Sequence, residues 1–193
     1  MHNDRVDTQD RIVNTAIDMI GRHINLDFTI RSIAEKANVN LASVNYYFRS
    51  KDNLINEVEK HFVRESRRIY EEIASLAIKP KDKIKLWATK TMDQIMEYPG
   101  IIYLIVTKLL NDRRQSIGIA GLIDTLEKSL IPIIKESTGV GDDFTASVKL
   151  MHLFSGVVAP VLFYYGAGRT FNIDMTSRSD RTKYIESLID SIL

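Results

Sequence analysis

Apolar residues recur along most of the chain at helical spacing, and strict alternation of apolar and polar positions is almost absent. In the first segment Ile12, Ala16 and Ile20 follow at four-residue steps beside Val13 and Ile17. Asp7 or Thr8 is placed to cap its start, and Gly21 to weaken its end. A second segment runs through Ile30, Ile33, Ala34 and Ala37, with Thr29 as its cap. Phe28 and Ile33 have the spacing of a hydrophobic staple around that cap. Asn38 interrupts this segment after about two turns. Asn40 then caps a third, from Leu41 to Tyr46 or Tyr47, which buries Val44 and Phe48. Ser50 opens a longer fourth helix with Leu54, Ile55, Val58, Phe62, Ile69, Ile73 and Leu76 on its apolar side.

Beyond Pro80 the helices lengthen. A fifth, from about Asp82, carries Ile84, Leu86, Trp87, Met92, Ile95 and Met96. Tyr98-Pro99-Gly100 ends it, and the run Ile101 to Val106 opens a sixth. A seventh covers Ile117 to Ser137, with Pro132 as a bend. An eighth runs from about Asp143 to Tyr165 and a ninth from about Ser179 to Leu193. The pattern predicts an all-α protein. Its expected organisation is a three-helix N-terminal unit, residues 1–50, joined by a long helix to a C-terminal helical bundle within residues 51–193.

Between Lys149 and Arg169 lie nineteen residues without Asp, Glu, Lys or Arg. That is nearly the roughly 20 residues of a membrane span. His152, Ser155, Pro160 and several glycines interrupt it, and no second such segment exists to pack against, so a buried or interface helix is expected. Pairing the eighth and ninth helices of two copies would cover this surface. Val157, Val161, Tyr164, Ile185, Leu188 and Ile192 are the expected seam of a homodimer.

Composition narrows the chemistry. The chain has 193 residues, no cysteine, and 26 Lys and Arg against 25 Asp and Glu. Thiol catalysis and Cys-ligated metal sites are excluded. Met1-His2-Asn3-Asp4-Arg5 is polar, so a secretory signal is not expected there, and the absence of cysteine suits a reducing cytoplasm. His2, His23, His61 and His152 are scattered without an HExxH pair, so no metal site is expected. Gly166-Ala167-Gly168-Arg169-Thr170 lacks the spacing and lysine of a phosphate loop. No nucleophile–base arrangement is legible, and neither an enzyme nor a cofactor is expected.

The informative stretch is Thr29 to Lys51, TIRSIAEKANVNLASVNYYFRSK. Two short helices joined by a tight turn at Asn38 form a helix-turn-helix, whose second helix enters the DNA major groove. Ala34 is small where the helices must cross. With Val44 and Phe48 buried, Leu41, Ala42, Ser43, Asn45 and Tyr46 are left on or near the exposed end and face.

Ile33-Ala34, Ala37-Asn38-Val39, Ser43-Val44-Asn45-Tyr46-Tyr47-Phe48 and Ser50-Lys51-Asp52-Asn53-Leu54 follow, in order, the pattern of TetR-type bacterial transcriptional regulators, and from Gln9 to Val58 the chain resembles that family. It departs at Asn38, where the family usually has Gly, and at Asn45, where an aromatic residue is frequent. The resemblance implies phosphate contacts from Thr29, Tyr47 and Lys51. It also implies contacts to bases or adjacent backbone from Asn40, Leu41, Ala42, Ser43, Asn45 and Tyr46. Asn can pair with two adenine edge atoms, and Leu or Ala suits a thymine methyl.

In that family the middle helices surround a small-molecule cavity. Trp87, Met92, Met96, Tyr103, Thr107 and His152 are the implied effector residues, and a dimeric, cytoplasmic repressor of a double-stranded, palindromic DNA operator is the implied function. Residues 1–60 hold eight Lys and Arg against nine Asp and Glu, so no basic stripe marks the unit as a whole. That balance leaves one rival, a helical interaction protein whose helix-turn-helix no longer reads DNA.

Overall fold

The computed structural model describes residues 2–24, 27–111, 117–168 and 171–193, with side chains described from Thr8 to Thr107 and from Ala120 onward. Among these residues every regular element is helical. α1 (His2–Ile17) starts ahead of the expected cap at Asp7 or Thr8 and passes into a π-helical turn, Asp18–Arg22, which contains the Gly21 expected to weaken its end. α2 (Ile30–Lys36), α3 (Leu41–Phe48), α4 (Lys51–Ser75) and α5 (Pro80–Glu97) follow. Then come α6 (Gly100–Asn111), α7 (Ile117–Thr138), α8 (Asp143–Ala167) and α9 (Arg178–Ile192). Pro132 lies inside α7. Arg169 and Thr170 of the glycine-rich stretch fall outside the described residues.

The chain divides into two compact units, Met1–Phe62 with Glu97–Arg113, and Val63–Met96 with Arg114–Leu193. The expected boundary after residue 50 follows the order of the elements. Packing places the first twelve residues of α4 and the whole of α6 with the N-terminal helices.

In the first unit Ile12, Ala16 and Ile20 join Phe28, Ile33, Ala34, Val44, Phe48, Leu54, Val58, Phe62 and Ile101 in one core. Each comes from a helix face with three- or four-residue spacing, which is why the sequence pattern found them. The second unit buries Tyr70, Ile73, Ile84, Trp87, Met92, Leu130, Ile134, Leu153, Val157, Ile185 and Ile189. Met175, in the loop before α9, is fully buried there. Arg181 holds that loop by donating to the Met175 and Thr176 carbonyls and pairing with Asp93 at 2.9 Å.

α8 alone among the described helices is long and apolar enough to cross a membrane. One face of it, Ala146, Leu150, Leu153, Val157 and Val161, is buried in the protein's own second unit, where α8 packs with α7 and α9. The opposite face is exposed and still apolar: Phe144, Val148, Met151, Leu162 and Phe163.

Candidate nucleic-acid interface

Three caps build the helix-turn-helix. The Thr29 hydroxyl accepts from the Ser32 backbone N–H at 3.0 Å, and the Ser32 hydroxyl accepts from the Thr29 N–H at 3.1 Å. This reciprocal box satisfies donors at the start of α2. Asn40 caps α3 by accepting from the Ala42 N–H at 2.9 Å. Ser50 caps α4 by accepting from the Asn53 N–H at 3.1 Å. The turn between α2 and α3 has Asn38 at φ +52°, a left-handed conformation that Asn tolerates better than most residues.

Val44 and Phe48 are buried, so α3 shows its other side to solvent. Leu41, Ala42, Asn45 and Tyr46 are exposed there, and one hundred degrees per residue puts all four on one face. Tyr46 is 68% exposed, a large aromatic surface that the unit's core does not use. Ser43 and Tyr47 are half-buried on the flank. The Tyr47 ring meets Tyr46 edge-on at 5.2 Å, and its body packs on the core. Asn40 and Thr29 are exposed at the starts of α3 and α2, where helix N–H groups attract anions.

Lys51 is half-buried, with Nζ 4.5 Å from the centre of the Phe28 ring, a cation–π contact that fixes its stem at the start of α4. Arg49 ends α3 at φ +63°, a strained conformation for a residue with a β-carbon, and leaves its guanidinium exposed between two helix ends. With Lys36 and Lys51 it belongs to the stretch 36–51, which has three basic residues and no Asp or Glu. All nine residues expected to meet DNA thus fall on the α2 start, α3 and the α4 start. The most exposed are on the face of α3 that lacks acidic side chains.

The expected effector residues divide between the two units. Trp87 and Met92 are fully buried in the second unit and Met96 is half-buried near them in sequence. Tyr103 and Thr107 lie on α6 in the first unit, and Tyr103 faces outward because Ile101, Ile102 and Leu104 take the buried side. His152 is exposed on α8. Sequence spacing missed Tyr70, whose buried ring meets Trp87 edge-on at 6.3 Å. Its hydroxyl faces Trp87, Thr91 and Ser66, and burial pushes its pKa above the ordinary tyrosine value. Trp87 Nε1 and Thr91 Oγ1 are buried without a well-aligned hydrogen bond, a state that costs free energy. In the same unit a cleft of about 730 Å³ lies between α4, α5 and α7, with Arg67, Glu71, Lys83, Asp124, Lys128 and Glu136 on its walls.

The expected seam residues also divide. Val157, Val161 and Ile185 are buried inside the protomer and cannot meet a second copy without unpacking it. Leu188 packs onto Gly156, where a β-carbon would come within 2.5 Å of its Cδ1. Tyr164 and Ile192 are half-buried.

Residues 12–58 match the sequence profile of bacterial regulatory proteins, tetR family. Over 73 residues the chain is 34% identical to the HTH-type transcriptional regulator BetI of Brucella canis, a match covering 38% of this chain and 37% of that protein. The aligned stretch therefore spans little more than a third of the relative's length. Likeness of fold reaches farther. The TetR-like regulator LfrR of Mycobacterium smegmatis, solved in complex with proflavine, superposes with TM-score 0.66 at 14% identity over 100% of this chain and 98% of its own. The hemolysin II transcriptional regulator HlyIIR gives 0.64 at 22% identity over 97% and 98%. Residues 12–58 thus follow the profile of the tetR family, and the helical architecture of TetR-like regulators is shared along nearly the whole chain.

Proposed function

We propose that the protein is a cytoplasmic, homodimeric transcriptional repressor that binds a near-palindromic DNA operator and leaves it when a small molecule binds the second unit. One observation carries the DNA-binding part: α3 is capped, backed by Val44 and Phe48, and shows Leu41, Ala42, Asn45 and Tyr46 on an exposed face free of carboxylates. Asn45 would read a base edge, Leu41 and Ala42 would meet methyl groups, and Thr29, Tyr47 and Lys51 would hold phosphates. The exposed apolar face of α8 supports pairing of two copies through Phe144, Val148, Met151 and Leu162. A two-fold dimer places two α3 helices on half-sites about one helical turn, or a multiple, apart.

Two features of the second unit support a small-molecule effector, the cleft between α4, α5 and α7 and the under-bonded polar group around Trp87. The fold relative LfrR was solved with proflavine, which is a reason to seek a small-molecule ligand here. α4 belongs to both units, so an effector that favours one arrangement of the bundle would shift the population competent for DNA.

Selection of duplexes from a random-sequence library by the purified protein tests the DNA-binding function. The expected result is a near-palindromic consensus bound with an affinity that falls with salt, about 0.9 logarithmic units per phosphate contact for each tenfold rise. Salt-independent or absent binding would instead favour the interaction protein that the near-balanced charge of residues 1–60 suggests. Trp87 is the chain's one tryptophan and is buried in the second unit, so a change in its emission on adding a ligand would report a change in that unit's core.

A further inference from the structure

α2 is seven residues long, and a helix that short has most of its last carbonyls outside any intrahelical bond. Beyond its end the chain reverses through Asn38 and enters α3 at Asn40. Two bonds within the turn hold it: the Asn38 N–H donates to Glu35 O at 3.1 Å and the Val39 N–H to Ala34 O at 3.0 Å. The carbonyls of Ala37 and Asn38 are bonded from elsewhere. Nη2 of Arg11, on α1, donates to both, at 2.7 Å and 2.8 Å.

One terminal guanidinium nitrogen carries two hydrogens, so both bonds are available to it at once. Its positive charge also lies at the C-terminal end of α2, where the helix dipole favours a cation. Arg11 is itself firmly based, since the adjacent Ile12 is fully buried in the first unit's core. A single side chain from α1 therefore fixes the two peptide units that set how α3 leaves α2.

We propose that Arg11 is a positioning residue for DNA recognition. By clamping the turn, it holds the base-facing residues of α3 in register with the phosphate-facing start of α2. This inference rests on the DNA-binding function proposed above. Arg11 does not itself touch DNA; its role is to make Thr29 and Asn45 engage the same duplex in one geometry. Loss of the clamp leaves the phosphate contacts free to form singly, so nonspecific binding survives while sequence discrimination falls. Lysine, with a compact ammonium in place of a planar fork, replaces the clamp only in part.

The test uses the full-length chain with Arg11→Met and Arg11→Lys. Affinities are measured for duplexes that the wild type selects from a random library and for scrambled duplexes of equal length. Amide hydrogen exchange at Asn38 and Val39 is followed in the free protein. For Arg11→Met the expected result is faster exchange at those two amides and a selected-to-scrambled affinity ratio reduced about tenfold, with scrambled affinity changed less than about twofold. Arg11→Lys should recover part of the ratio. A lowered melting temperature with an unchanged ratio, or equal loss on both duplexes, would overturn the positioning role and leave a fold contact only. A wild type that selects no duplex would overturn the DNA-binding function and the positioning role with it, while exchange would still show whether the clamp exists.

Discussion

A β-carbon on Gly100 would fall 1.7 Å from the carbonyl oxygen of Ile20 and 2.8 Å from its carbonyl carbon. The first residue of α6 is therefore in backbone contact with the π-helical turn that follows α1. π-turns inside helices are often retained at functional places, and this one carries a contact by which α6 joins the first unit, beside Ile101 in the core. Arg22 in the same turn reaches Glu97 at 2.5 Å and the Tyr98 hydroxyl at 3.0 Å, closing the joint from the side.

Gly100→Ala should consequently destabilise the protein by about 1–3 kcal/mol, because backbone atoms cannot rotate away from the added methyl as a side chain could. Chemical denaturation reads this as a lower midpoint. A midpoint equal to wild type would show that α6 and the π-turn separate without cost.

Asn45→Ala should cost about 1–3 kcal/mol at particular base pairs of the selected site and much less on scrambled DNA. Its side chain is exposed on α3, and the core beneath, Val44 and Phe48, does not depend on it. Competition binding with single-base variants of the site locates the effect. Equal weakening on every sequence would assign Asn45 to the DNA backbone instead of a base.

Caps and periodicity made the first unit legible. Thr29, Asn40 and Ser50 are residue types whose side chains compete for backbone N–H groups, and all three do so here. What spacing could not show were contacts made by backbone. The approach of Gly100 to Ile20 and the grip of Arg11 on the turn leave no periodic trace. Nor did the sequence reveal that α6 packs with the N-terminal helices.

α8 resisted for another reason. It is apolar nearly all round, so periodicity gives no preferred face, and Val157 and Val161 were as plausible at a seam as Met151. Only the packing of α7 and α9 distinguishes them. In the second unit Tyr70, whose ring meets Trp87, lies on a different helix and gives no local signal of that contact.

Acid should loosen the junction of α1 and α2. Asp18 accepts from Lys36 at 2.8 Å, and this bond, with the nearby positive charge of Lys36, holds its carboxyl below the ordinary value of 3.8. A depressed folded-state pKa means that the unfolded chain binds the proton first, so the stabilisation is present above the ordinary value and lost as pH falls through the lowered one. Wild type should therefore melt higher than Asp18→Asn at about pH 6, with the gap closing as pH falls below the ordinary value of 3.8. A gap that is constant across that range would show that Asp18 stabilises the junction without its charge.

The dimer seam can be separated from the protomer core with two charges placed on opposite faces of one helix. Met151 is 65% exposed on α8 and Phe144, on the same stripe, is 79% exposed, whereas Val157 is fully buried. If two copies meet along the exposed stripe, Met151→Glu should give a folded monomer with a helical spectrum like that of wild type. Its melting temperature should lose the dependence on protein concentration that a dimer must have. Its operator affinity should fall steeply, since one reading head then binds one half-site. Val157→Glu should behave differently, unfolding the second unit, because an ionised carboxylate without a partner in that core costs several kcal/mol. Sedimentation and circular dichroism on the two variants distinguish the outcomes. A Met151→Glu protein that stays dimeric would move the seam elsewhere, and a wild type that is monomeric at micromolar concentration yet protects a full palindromic site would remove the dimer altogether.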